Sequence, residues 1–284
     1  MAVTVSAVFV LAMCAMVLSC GPSTEVVAFA DEARQVFEAG SFIFDDLPES
    51  CVRRHAAAEP IRALYLPLKP ATATSPDATC ERFSAEARAL RQQSSLLVTY
   101  FTAMKQLAAF NTMNLSTPVE TAAQSSSEGE LGKAQAEAAG KLSGIVTQAI
   151  AGHYQRRKIA HYVQEADPSI AVITNNFEKI AGDDYERLLR EEQQTLTARY
   201  QEVGETGSLA VIVLLNRAYS DDVNAVKQRK VMAEAYAKAL ETIREGHAKL
   251  AEGSRHEEGK ALQPALQGYI SKLEELLPAM RQRP

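Results

Sequence analysis

The sequence predicts an all-α protein, an elongated antiparallel bundle of long helices with coiled-coil-like packing. Three observations carry that expectation. Trp is absent, aromatic residues make up 6% of the chain and alanine is very common, a composition that suits long helices better than sheets. Apolar residues recur in unbroken steps of four and three, the spacing that keeps one face of a helix against its neighbours. The helices implied run to about thirty to fifty residues, against a usual mean of about 12, which favours an extended bundle over a compact globule.

Taken in order, Val26, Val27, Phe29, Ala30, Ala33, Val36 and Phe37 have helical spacing from Ser23 to about Gly40, with Ser23 or Thr24 as cap. Residues 41–79 are interrupted by Pro48, Pro60, Pro67, Pro70 and Pro76 and read as an irregular connection. Phe83, Ala87, Leu90, Ser94, Leu97, Phe101, Met104 and Ala108 then form a seam without a fault. Thr117-Pro118-Val119-Glu120 is a capping box that opens the next helix.

The seam of that helix, Leu131, Ala134, Ala138, Leu142, Ile145 and Ala149, is half alanine, and the helix is expected to continue to about Ala166. Asp167-Pro168 reads as a cap followed by a proline in the first turn, restarting the chain in the opposite direction. Ile170, Ile173, Phe177, Ile180, Leu188, Leu189, Leu196, Tyr200 and Val203 build a further helix, whose charged middle, Glu186 to Gln194, is expected in solvent.

Leu209 to Leu215 is apolar on all sides; too short to span a bilayer, it reads as buried core. From Val226 the heptads resume through Ala233, Ala237, Leu240, Ile243, His247 and Leu250, giving a helix of about 45 residues and about 70 Å if it is continuous from Ser208. Leu262, Leu266, Tyr269, Leu273, Leu276 and Met280 carry the last helix, with Pro264 in its first turn and Pro278 at its end. No repeat of fixed period is present.

The chain divides into a leader over 1–19, an N-terminal helix with a Pro-rich connection over 20–79, and a long helical bundle over 80–284. Residues 1–19 carry no charged side chain, and the apolar run ends in Val17-Leu18-Ser19-Cys20. This resembles the lipobox of bacterial lipoprotein precursors, although the positive charge that usually opens such a leader is missing. The resemblance covers residues 1–21. It implies that Cys20 is lipidated and becomes the mature N-terminus, anchoring the protein to a bacterial membrane on its periplasmic side. Gly21, where Asp would retain such a protein in the inner membrane, favours the outer one by the same resemblance.

Export gives the cysteines a pattern. Cys14 leaves with the leader and Cys20 takes lipid, so Cys51 and Cys80 remain as a pair that an oxidising compartment would join. A bond closing that loop of about 30 residues contributes on the order of 3 kcal/mol in the chain-entropy picture.

Positive evidence for an enzyme is lacking. The chain has no Gly-x-Gly-x-x-Gly, Walker loop, His-Glu-x-x-His, Gly-x-Ser-x-Gly or Cys-x-x-Cys. A net charge of −5 gives no basic field for nucleic acid. No Glu-x-x-His pair of the kind that builds bundle metal sites occurs, so neither metal nor cofactor is expected. His247 sits on a seam and reads either as a core histidine donating to a carbonyl or as one that meets another histidine across the bundle. Arg156, Arg157 and Lys158 are a candidate contact for an anionic headgroup or peptidoglycan, set against the plainer reading of a solvated helix face beside Glu165 and Asp167.

The functional expectation is a non-enzymatic, lipid-anchored scaffold or adaptor in a cell-envelope assembly, with a protein partner in the envelope. A carrier that holds a hydrophobic or lipid ligand between the helices is the alternative. A contiguous apolar cavity would distinguish the two.

Overall fold

The computed structural model describes residues 24–58, 78–109, 132–151, 159–206, 209–256 and 259–282. Among them there is no strand. Seven α-helices are described: α1 (Thr24–Ala58), α2 (Ala78–Ala108), α3 (Lys133–Ala151), α4 (Ile159–Lys179), α5 (Glu186–Thr206), α6 (Leu209–His256) and α7 (Gly259–Arg281), with a π-helical turn over Ile180–Tyr185 joining α4 to α5. The expected all-α bundle of long helices is therefore present. The leader, Cys20, Pro60 to Pro76, the Thr117 capping box and the basic run Arg156-Arg157-Lys158 lie outside the described residues.

Antiparallel pairing follows from the cross-helix bonds. Lys105 reaches Asp31 at 2.7 Å and Arg91 reaches Asp45 at 2.6 Å, so α2 runs back along α1. Gln135 bonds Asn176 at 3.2 Å and Tyr162 bonds the Gln148 carbonyl at 3.4 Å, which pairs α3 with α4. The rod α4–π–α5 returns as the 48-residue α6, and each of these two arms is about 70 Å long at 1.5 Å per residue. α1 packs against α2, α5, α6 and α7.

The core is aromatic at its centre. Phe37 stacks on Phe101 with ring centroids 5.7 Å apart, and Phe44 meets Phe177 edge-on at 4.9 Å and Tyr236 at 6.1 Å. Such pairs add about 0.5–1.5 kcal/mol each beyond the area they bury. Gly40 makes this possible, because a Cβ there would lie 2.1 Å from the Tyr236 ring. The α2 seam is as the heptads predict, with Ala87, Leu90, Ser94, Leu97, Phe101, Met104 and Ala108 all buried. Ser94, the polar member, donates to the Phe37 carbonyl at 3.1 Å.

Several boundaries differ from the sequence expectation. Helix α1 does not stop near Gly40 but continues through Pro48 to Ala58. Proline inside a helix costs about 3 kcal/mol, and the burial of Phe44, Leu47 and Cys51 on either side of Pro48 outweighs it. The helix expected to run unbroken to Ala166 is two helices, α3 and α4, folded against each other. Asp167-Pro168 is no restart, since Pro168 lies within α4. It sits on the exposed face, so the carbonyl it leaves unbonded four residues back can reach water. Pro278 likewise lies inside α7.

The apolar start of α6 is also not core throughout. Val213 and Leu214 are 62% and 72% exposed. Tyr200 bonds Asp222 at 2.9 Å and Thr197 approaches Tyr219 at 3.3 Å, fixing the register of α5 on α6. Arg199 donates to the Ala56 carbonyl at 3.3 Å and so marks the level where α1 ends. The α5–α6 tip therefore projects about 10 Å beyond α1.

Candidate functional site

Over the second half of α1, a group of charged side chains is taken out of water. Asp46, Glu192 and Arg229 are 4%, 1% and 5% exposed. Asp46 accepts from Tyr185 at 2.6 Å, from Arg53 at 2.8 Å and from Arg229 at 3.2 Å. Glu192 accepts from Ser50 at 2.5 Å, from Arg53 at 2.9 Å, and from two nitrogens of Arg229 at 3.0 and 2.9 Å. Two carboxylates meet two guanidiniums, so the cluster is neutral.

The members come from three helices and the π-helical turn. Asp46, Ser50 and Arg53 are successive turns of α1, Tyr185 closes the π-helical turn, Glu192 lies on α5 and Arg229 on α6. A π turn takes one extra residue per turn and re-aims the helix beyond it, a device common at functional positions.

Burial opposes the charge of Arg229, but hydrogen bonds and charge from Glu192, then Asp46, outweigh it and hold its guanidinium above the ordinary arginine value. The same balance holds for Arg53, where Asp46 leads the opposing groups. Burial, followed by the neighbouring Asp46, pushes the Tyr185 phenol far above its usual range.

The cluster forms the wall of an open cleft of about 480 Å³, also lined by Phe42, Leu196, Arg199 and Asp222. Its four carboxylate oxygens all accept hydrogen bonds. This closed arrangement fixes the register of α1, α5 and α6 and holds no unengaged base beside a nucleophile. Immediately beside it, the expected Cys51–Cys80 disulfide joins the end of α1 to the start of α2.

A second polar group lies toward the opposite end. His247, fully buried on α6, has Nε2 2.7 Å from the Tyr100 hydroxyl and Nδ1 2.8 Å from Asp167. The seam histidine is thus core, with a phenol and a carboxylate as partners in place of the expected carbonyl or second histidine. Burial, then Asp167, raises the Tyr100 phenol far above its ordinary value. The adjoining apolar cavity, lined by Leu107, Ile145, Val146 and Tyr162, has a volume of about 20 Å³. That is room for about one water molecule, not for an acyl chain.

Sequence reasoning missed the charged cluster. The charged run Glu186–Gln194, expected in solvent, contains the nearly inaccessible Glu192. A signal was present. The four-three steps skip from Leu189 to Leu196 and from Val226 to Ala233, and the skipped seam positions fall on Glu192 and on Arg229. Opposite charges in two seams of neighbouring helices are the pattern of a buried pair.

Compared with known protein families, curated proteins and solved structures, the chain matches none.

Proposed function

We propose that this protein is a lipid-anchored strut of the bacterial envelope, a non-enzymatic scaffold or adaptor held through Cys20 at a membrane facing the periplasm, by preference the outer one. What carries the reading is the exposure of Val213 and Leu214 near the tip of the α5–α6 hairpin, beyond the last described residue of α1. Helix α1 begins at Thr24, a few residues after Cys20, and its 35 residues cover about 50 Å before the level of that tip. A chain tethered at one end thus offers apolar side chains at the other, where a protein partner in an envelope assembly would bury them.

Three further features agree with it. No described helix is long and apolar enough to cross a membrane. The disulfide suits an oxidising compartment. The polar cluster braces three helices against one another, as a strut requires.

A photo-crosslinking residue at position 214, introduced into the lipidated chain in intact envelopes, tests the proposal. Discrete adducts are expected there and not from the exposed position Glu241, about two-thirds of the way along α6. Val213→Asp, combined with the crosslinker at 214, should abolish the adducted complex without lowering the melting temperature. Equal labelling at both positions would overturn the reading.

A further inference from the structure

Beside the disulfide, His55 occupies the last turn of α1, four residues after Cys51 and so on the same helix face. Its ring nitrogen and the sulfurs of Cys51 and Cys80 all lie within 4.8 Å of one another. Cys51 and Cys80 are 0% and 3% exposed, whereas His55 is exposed. Two soft ligands therefore sit in a dry pocket with an imidazole at its mouth.

The geometry points to a redox-gated site for a thiophilic metal ion, Zn²⁺ above all, made by Cys51, His55 and Cys80 once the disulfide is reduced. Zinc takes thiolate sulfur at about 2.3 Å and imidazole nitrogen at about 2.0–2.1 Å in a tetrahedron, so two sulfurs on one ion stand about 3.8 Å apart. Opening the S–S bond lets the sulfurs separate to that spacing from Cα atoms 5.7 Å apart, with side-chain rotation alone. Three protein ligands leave a fourth position for water, as in open zinc sites.

The neighbours fit this chemistry. Arg54 has one guanidinium nitrogen 4.0 Å from the Cys51 sulfur and 3.1 Å from the His55 ring, while its other terminal nitrogen bonds Glu191. Positive charge beside the sulfurs favours the thiolate form that metals bind. Glu191 holds Arg54 and offers a place toward which it can withdraw when the ion enters.

The chemistry balances with a dithiol reductant. Its two thiols give two electrons and two protons to the Cys51–Cys80 bond, becoming a disulfide themselves. The ion then displaces the protons of the two new thiols and binds the thiolates with the neutral imidazole. Oxidation by a disulfide donor reverses both steps and releases the metal.

Cobalt(II) titration of the full chain under anaerobic conditions tests this, because Co²⁺ reports sulfur ligation and tetrahedral geometry by its absorption. After reduction, one Co²⁺ per chain should bind with a sulfur-to-cobalt charge-transfer band, and Zn²⁺ should bleach it. The oxidised chain should show no band. His55→Ala, which leaves the disulfide able to form, should weaken Co²⁺ binding at least about tenfold. Far-UV circular dichroism of the reduced chain checks that the helices persist, and Cys80→Ser, which cannot form the bond, should lose the band while staying helical. A reduced, helical chain without the band, or one whose affinity is unchanged in His55→Ala, would overturn the site.

Discussion

Tyr185 donates its hydroxyl to Asp46 at 2.6 Å across 139 residues of sequence. This contact ties the π-helical turn between α4 and α5 to the middle of α1. Because Asp46 also holds Arg229, it ties α1 to α6 as well, while Glu192 brings α5 to the same Arg229.

Removing one partner should expose the cost of burying the others. Arg229→Met leaves Asp46 and Glu192 facing each other with one guanidinium between them, and stability should fall by about 3–5 kcal/mol. Replacing Asp46, Arg53, Glu192 and Arg229 together by apolar residues of similar volume, with Tyr185→Phe and Ser50→Ala, should recover most of that loss, since neither an uncompensated charge nor an orphaned hydroxyl then remains inside. Urea unfolding midpoints of the two variants make the comparison. A single variant as stable as the parent would show that the cluster is more hydrated than its burial implies.

Two glycines should respond with opposite signs to the same change. A Cβ at Gly40 meets the Tyr236 ring at 2.1 Å, so Gly40→Ala should destabilise by about 1–3 kcal/mol through overpacking. At Gly140, inside α3, nothing lies within 4 Å, so Gly140→Ala should stabilise by about 0.5–1 kcal/mol by lowering backbone entropy in the unfolded chain. Thermal melts of both proteins test the pair.

Alkali should unfold the bundle through its tyrosines. Burial raises the phenols of Tyr100, Tyr185 and Tyr236 well above the ordinary value of 10.0. The folded state therefore keeps protons that the unfolded chain releases. The stabilisation is complete below about pH 10 and is lost as pH rises above it, at up to about 1.4 kcal/mol per pH unit for each of the three. Tyr200, pushed up to about 12 by burial and then by its bond to Asp222, adds loss of the same sign between about pH 10 and 12. Urea midpoints measured from about pH 8 to about pH 11 should be level at first and then fall. The ultraviolet absorbance of tyrosinate should rise in step with unfolding for the buried residues.

Under the proposed function, Cys20 carries the lipid. Cells fed radiolabelled palmitate should label the parent chain, and Cys20→Ser should remove the label and release the protein from the membrane fraction. A Cys20→Ser chain that is still labelled and membrane-bound would sink the anchor.

The sequence by itself determined that the chain is all-α and which face of α2 is inward, because a 3.6-residue period is a local property. Phe83 to Ala108 reads correctly from spacing alone. The Cys51–Cys80 pairing was legible as well, since it needed only the expectation of export and a count of the cysteines that export would leave. Tertiary structure alone decided where prolines could be carried: Pro48 lies within a helix because Phe44 and Leu47 are buried beside it, and Pro168 because its side of α4 meets water. It also decided that Glu192 is inside and Leu214 outside, against their polarity. Glu192 is matched by Arg53 and Arg229, far away in sequence, whereas Leu214 lies where α1 has already ended. Burial is set by what packs alongside, and that is a property of distant segments that no local pattern contains.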